Sequence, residues 1–271
     1  MLLTRHQTKD GPRWALDDAF LPPNLTLSTL LELPRAAMLQ WLETLANGEA
    51  AYGETVAPLD PQHEVWAAGV TYLRSRDARR VESTVANMYD HVYEAARPEL
   101  FFKSTGWRVA GNGAPIRIRT DSLWNVPEPE LVLVVNQSRE IVGYCAGNDV
   151  SSRDIEGENP LYLPQAKVYN GSCALGHGIW LCAEEAIHKI PIGLEIQRAD
   201  QVIFTGETTT ATMKRTLPEL VEYLTRELDF PQGVFLMTGT CLVPGDNFTL
   251  QAGDRVSIRV GMLQLENRVL D

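Results

Sequence analysis

The chain of 271 residues is 44% hydrophobic and 22% charged, which excludes a disordered or fibrous polymer and accommodates one large domain with a small appendage. Its net charge of -11, from 35 acidic against 24 basic residues, argues against nucleic acid or an anionic membrane as a partner, and no Lys/Arg run reverses the field locally. The opening segment MLLTRHQTKDGPRW lacks the apolar core of a signal peptide, and nothing approaches the roughly 20 apolar residues that span a bilayer, so a soluble, cytoplasmic protein is expected. Cys145, Cys173, Cys182 and Cys241 show no CxxC spacing and read as reduced, mostly buried thiols.

Residues 1–60 read as a small lead-in unit: a short polar strand, a Pro22-Pro23 turn and an amphipathic helix. Pro34 opens that helix, Met38, Trp41, Leu42 and Leu45 recur on one face, and Asn47-Gly48 stops it. Pro58, Asp60 and Pro61 form a linker to a second unit, residues 61–271. There Val65–Val70 reads as a strand and Ser75–Ala96 as a charged helix with Val85, Met88, Tyr89 and Val92 on one face. Strands follow at Leu100–Phe102, Ile116–Ile118, Glu130–Val135 and Ile141–Ala146, then helix at Glu184–His188 and Leu217–Leu228. The last strands are Asn247–Leu250, Arg255–Val260 and Leu263–Val269, set off by Gly-Asp or Gly turns. Many short strands with few helices argue for a mixed β (α+β) fold on curved or barrel-like sheets, and no GxGxxG, P-loop or repeat period appears.

Glu128 and Glu130 flank Pro129 at the mouth of an apolar strand. In extended chain they share a face, roughly 6.5 Å apart along the strand, so both carboxylates can converge on one cation. A solvated strand end is the alternative for these two residues alone. Asp149, at the end of the next strand and about 4.8 Å across, can complete an oxygen-only site for Mg2+, Ca2+ or Mn2+. The five histidines form no HxH or HxxxH pair and read as solvated or core-satisfied rings. Lys167 follows a turn-rich stretch and reads as a surface lysine or an ammonium beside the metal. Thr238-Gly239-Thr240, ahead of Pro244-Gly245-Asp246, is a turn able to present N–H groups and hydroxyls to a carboxylate.

GVTY at 69–72, ELFFK at 99–103, PEPELVLVV, GNDVSSRD, the Lys of QAK, and MTGT followed by VPGD resemble the fumarylacetoacetate hydrolase superfamily, in the same order over residues 65–271. The resemblance implies that family's β-roll with a small N-terminal unit, protomers paired as homodimers or homotetramers, and Mg2+ (or Mn2+) on Glu128, Glu130 and Asp149. It further implies that Lys167 holds the substrate, and that Thr240, with Gly239 beside it, meets the substrate carboxylate. Arg153 of the SSRD motif is counted with these substrate contacts.

Hydrolase and decarboxylase members carry a His shortly after GxxY, where this chain reads Leu73-Arg74-Ser75-Arg76-Asp77. ENPLYLPQ-x-K and RPE-x-FFK resemble instead the 2-keto-3-deoxy-D-arabinonate dehydratase branch. The expected activity is therefore metal-dependent dehydration of a 2-keto-3-deoxy sugar acid to a 2,5-dioxo acid, part of sugar acid catabolism. The runner-up is a C–C hydrolase or decarboxylase of an acylpyruvate or oxaloacetate; a non-catalytic 2-oxo acid binder is the third reading. Lys167 and Glu82 are the expected proton-handling residues, with Lys167 as either base or charged positioner; Arg74 and Arg76 read as a solvated helix face or as contacts to substrate hydroxyls.

Overall fold

The computed structural model describes residues 1–45, 48–73 and 91–270. Its strands, in chain order, begin with β1 (Leu2–Thr8), β2 (Gly11–Leu16), β3 (Ala19–Phe20), β4 (Glu64–Gly69), β5 (Glu99–Thr105) and β6 (Ile116–Arg117). The middle of the chain forms β7 (Asn125–Val126), β8 (Pro129–Val135), β9 (Ile141–Asp149), β10 (Ser151–Ser152), β11 (Cys173–Leu175) and β12 (Gly178–Leu181). β13 (Pro191–Arg198), β14 (Gln201–Thr209), β15 (Val234–Met237), β16 (Arg255–Val260) and β17 (Leu263–Leu270) complete the set. The helices are α1 (Leu27–Leu31), α2 (Arg35–Leu45), α3 (Arg153–Glu158), α4 (Leu163–Lys167) and α5 (Leu217–Leu224). None among the described residues is long and apolar enough to cross a membrane.

The large sheet runs β3-β2-β1-β12-β9-β8-β15-β4-β5, with β11 paired to β9 off this path, and a second sheet runs β14-β13-β16-β17-β6. The unbroken apolar run of β8 follows from its central place, because a strand buried on both faces needs hydrophobic side chains at odd and even positions alike. Leu131, Leu133 and Val135 join Ile192, Leu194, Val256 and Ile258 in the core between the two sheets. Val132 and Val134 turn the other way, onto Leu27, Leu30, Leu31, Met38 and Leu42 of α1 and α2. The first sixty residues therefore contribute strands to the sheet, through the β1–β12 pairing, and a helical cover to one face.

Several boundaries differ from the expected ones. β9 continues past Ala146 to Asp149. α5 ends at Leu224 rather than Leu228, where Thr225 turns its hydroxyl back onto the Val221 carbonyl. Glu184–Ile187 is a 3-10 turn. Asn247–Leu250 is not a strand: Phe248 N–H closes a turn onto Gly245, and Leu250 N–H donates to Asn125 instead of a ladder partner. The long hairpin β13–β14 had no visible turn signal, because Ala199-Asp200 rather than Asn-Gly supplies the two positive φ values, 49° and 62°. Within the expected helix Ser75–Ala96, residues 91–94 are helical; 74–90, with Arg74, Ser75, Arg76, Glu82, Val85, Met88 and Tyr89, lie outside the described residues, as does Asn47 of the expected α2 stop.

Candidate metal centre

Antiparallel register brings the three acids together. Pro129 pairs with Asn148 and Glu130 with Gly147, so Glu128 stands across from Asp149, whose N–H donates to the Glu128 carbonyl at 3.0 Å. Residues opposite one another share a face, and Glu130 lies two positions along on that same face. Glu128, Glu130 and Asp149 are buried to 2%, 1% and 1% exposure, which removes the solvated strand end. One carboxylate oxygen from each lies within 4.8 Å of the others.

Each acid also has an oxygen held from outside the cluster. Arg153, the first residue of α3 and itself buried, places Nη2 2.8 Å from Glu128 Oε1. Lys103 Nζ lies 2.5 Å from Asp149 Oδ1, and the Gly239 N–H donates to Glu130 Oε2 at 2.6 Å. Between Glu128 and Asp149 sits Lys167, the last residue of α4, donating to Glu128 Oε2 at 2.6 Å, Asp149 Oδ2 at 2.9 Å and Ser151 Oγ at 2.5 Å. The surface-lysine reading of Lys167 thus fails; α4 points the chain inward, where carboxylates replace solvent.

Two glycines make this approach possible. A Cβ on Gly147 would meet Val132 Cγ2 at 2.3 Å, on the face that carries the acids. Gly239 has φ +94°, and a Cβ there would lie 2.1 Å from Thr71 Oγ1. Thr71 Oγ1 in turn donates to the Thr238 carbonyl, and Thr238 Oγ1 to the Leu131 carbonyl, so the GVT and TGT segments are fastened to each other and to β8.

Burial pushes the Glu130 carboxyl well above the usual range, and repulsion by Asp149 and then Glu128 adds to it; Lys167 and the Gly239 N–H act the other way. A buried carboxyl so raised beside two further acids marks a donor set suited to a cation. With oxygen donors alone and no His or Cys in the group, the three acids fit a hard divalent ion such as Mg2+.

The structure thus gathers Glu128, Glu130, Asp149, Lys167, Arg153 and Gly239. The Gly239 N–H, expected to face a substrate carboxylate, is engaged by Glu130. Thr240 closes a local turn with Leu242, its hydroxyl 3.3 Å from the Leu242 N–H. Glu82 lies outside the described residues. His63 is satisfied in the core, between the Asp60 N–H and the Gln232 carbonyl, and His6 bridges Thr4 Oγ1 and the Gly53 carbonyl. All four cysteines are free thiols, three of them buried. Sequence reasoning missed Lys103 and Ser151; the signal available for Lys103 was a lone cation at the end of the apolar Leu100-Phe101-Phe102 strand.

A two-sheet roll carrying a buried Glu-x-Glu and Asp triad defines the class. The chain belongs to the fumarylacetoacetate (FAA) hydrolase family, whose C-terminal domain matches residues 64–270. It is 49% identical over 214 residues to a Haloferax volcanii protein described as a probable 2-keto-3-deoxyxylonate dehydratase, covering 78% of this chain and 73% of that one. To the 2-dehydro-3-deoxy-D-arabinonate dehydratase of Saccharolobus solfataricus it is 43% identical over 209 residues, 75% of this chain and 70% of the other. A solved 2-keto-3-deoxy-D-arabinonate dehydratase complexed with magnesium and 2,5-dioxopentanoate superposes with a TM-score of 0.80 at 32% identity, over 100% of this chain and 99% of that one.

Proposed function

We propose that this protein is a magnesium-dependent dehydratase that converts a 2-keto-3-deoxy sugar acid, of the 2-keto-3-deoxypentonate type, to a 2,5-dioxo acid. The observation that carries the reading is the buried Glu128, Glu130 and Asp149 cluster with Lys167 across it, in a chain 43% and 49% identical to two proteins described as such dehydratases. Glu128, Glu130 and Asp149 hold the ion, which supplies Lewis-acid polarisation of the 2-oxo acid when bound. In the overall change a proton leaves C3, the C4–O bond breaks, one water departs, and tautomerisation raises C5 to the aldehyde.

The chain's own groups divide that work. Lys167 gives its ammonium protons to three oxygens, an arrangement that suits a charged group better than a base; two of those oxygens belong to the acids Glu128 and Asp149, and their engagement by the ion would release ammonium protons for substrate. Proton removal from C3 is assigned to Glu82, an acid in the segment after GVTY. Thr240 is assigned to the substrate carboxylate, while Arg153 and the Gly239 N–H act through Glu128 and Glu130, the acids they hold. The enzyme works as a cytoplasmic homodimer or homotetramer in sugar acid catabolism.

A substrate panel tests this. Purified protein with Mg2+ is expected to turn over 2-keto-3-deoxypentonates, with the dioxo product seen by NMR, and to leave acylpyruvates and oxaloacetate intact. Efficient acylpyruvate cleavage without sugar acid turnover would replace the dehydratase by a C–C hydrolase.

A further inference from the structure

Lys103 occupies an unusual place in β5. Val65 pairs with Ser104 and Trp66 with Phe102, so Lys103 is the extra residue of a β-bulge. A bulge re-aims one side chain out of the strand's alternation, and bulges gather beside active sites for that reason. Here the ammonium reaches the far side of the acid cluster at 0% exposure. Its partners are Asp149 Oδ1 at 2.5 Å, the Lys167 carbonyl at 2.5 Å and the Val150 carbonyl at 3.1 Å. Three acceptors match the three protons of an ammonium, so none is left for a substrate.

We propose that Lys103 is a positioning residue of the metal centre, acting through Asp149 and the backbone of Lys167. Asp149 Oδ1 has no hydrogen bond among the described residues beyond this ion pair, and Lys167 holds Oδ2, so Lys103 fixes from the far side which carboxylate oxygen turns toward Glu128 and Glu130. The Lys167 carbonyl is held twice, by Lys103 and by Ser172 Oγ at 2.9 Å, which sets where the α4 terminus delivers the Lys167 side chain. Stability alone does not account for the choice of residue, because a buried ion pair is seldom more stabilising than well-packed apolar groups of the same volume. One lysine thus orders one metal ligand and the other lysine together. The inference rests on the metal reading given above.

The test is Mn2+ affinity by titration calorimetry on the chelated protein, for wild type, Lys103→Met and Lys103→Gln, with near-UV circular dichroism to report the fold. Gln keeps a donor for the carbonyls and so guards against misfolding of the Met variant. Loss of a group that orients a ligand typically costs about 10–100-fold in metal affinity, and that is the expected rise in Kd for a folded variant, accompanied by a changed Mn2+ electron paramagnetic resonance spectrum. Because the effect runs through Asp149, Lys103→Met with Asp149→Asn should bind no more weakly than Asp149→Asn alone. Unchanged or tighter Mn2+ binding would overturn the proposal, as would failure of both variants to fold, which would make Lys103 a stability element. Wild type binding no Mn2+ would instead sink the metal reading on which it depends.

Discussion

Glu130→Gln removes one charge and almost no volume, so its effect isolates electrostatics. Two unit charges about 4.8 Å apart in a medium of effective dielectric about 20 repel by roughly 3.5 kcal/mol, and Glu130 faces two acids at or inside that separation. Lys167 and the Gly239 N–H offset part of this, and Gln keeps an oxygen for that N–H. The expected outcome for chelated protein at mildly alkaline pH is a stabilisation of about 1–3 kcal/mol, roughly 2–10 °C in Tm. The pH dependence has a definite sign. The folded Glu130 carboxyl lies above its unfolded value, so its contribution is fully present in acid and is lost as pH rises through the folded value. Gln cannot ionise, so the advantage of the variant should widen as pH rises. Mg2+ should reverse the order: it raises the Tm of wild type by mass action and leaves the variant nearly unmoved. Scanning calorimetry of both proteins, with EDTA or with saturating Mg2+, reads all of this. A chelated variant less stable than wild type, or an equal Mg2+ shift in both, would refute the picture of three mutually repelling acids around a cation site.

Exhaustive chelation should abolish turnover, with Mg2+ or Mn2+ restoring it; retained activity in EDTA would exclude the metal. Lys167→Met should lower kcat/KM by about 10²–10⁴-fold with the fold kept in the presence of Mg2+, and substrate deuterated at C3 should show a primary isotope effect in wild type when chemistry limits the rate. Gly239→Ala forces a Cβ to 2.1 Å from Thr71 Oγ1 at a φ of +94°, and is expected to cost about 1–3 kcal/mol in thermal unfolding and to weaken Mg2+ binding by displacing the Glu130 donor.

The metal ligands were legible because their geometry is local. Alternation puts Glu128 and Glu130 on one face, and a single strand pairing brings in Asp149; neither step needs the rest of the fold. Lys167 was legible as a residue but not as a buried one, since its surroundings come from β9 and β10, and only the family resemblance pointed inward. The lone cation after Leu100-Phe101-Phe102 marked Lys103 as unusual, but not where it points: a bulge is a mismatch between two strands, and β5 alone does not reveal that β4 supplies one residue fewer. The β13–β14 hairpin was missed because Ala199-Asp200 adopts the left-handed conformation against the ordinary preference of its side chains. Expected strand Asn247–Leu250 failed for the converse reason, its Phe and Leu serving a turn and a contact with Asn125.

The β1–β12 pairing and the layer of α1 and α2 side chains on Val132, Val134 and Cys145 bear on recombination between relatives. A chimera joined near residue 60 would respect the apparent linker yet cut through a core whose two halves meet on the same face of β8 as the metal ligands. Parents differing in Leu30, Met38 or Leu42 would exchange volumes under β8, and the misfit would surface as altered metal affinity far from any exchanged residue. A junction at the Ala199-Asp200 tip crosses exposed residues at the break itself, yet the block after it carries β15, which pairs with β8, and Gly239, which holds Glu130, so that exchange too would alter contacts at the acids.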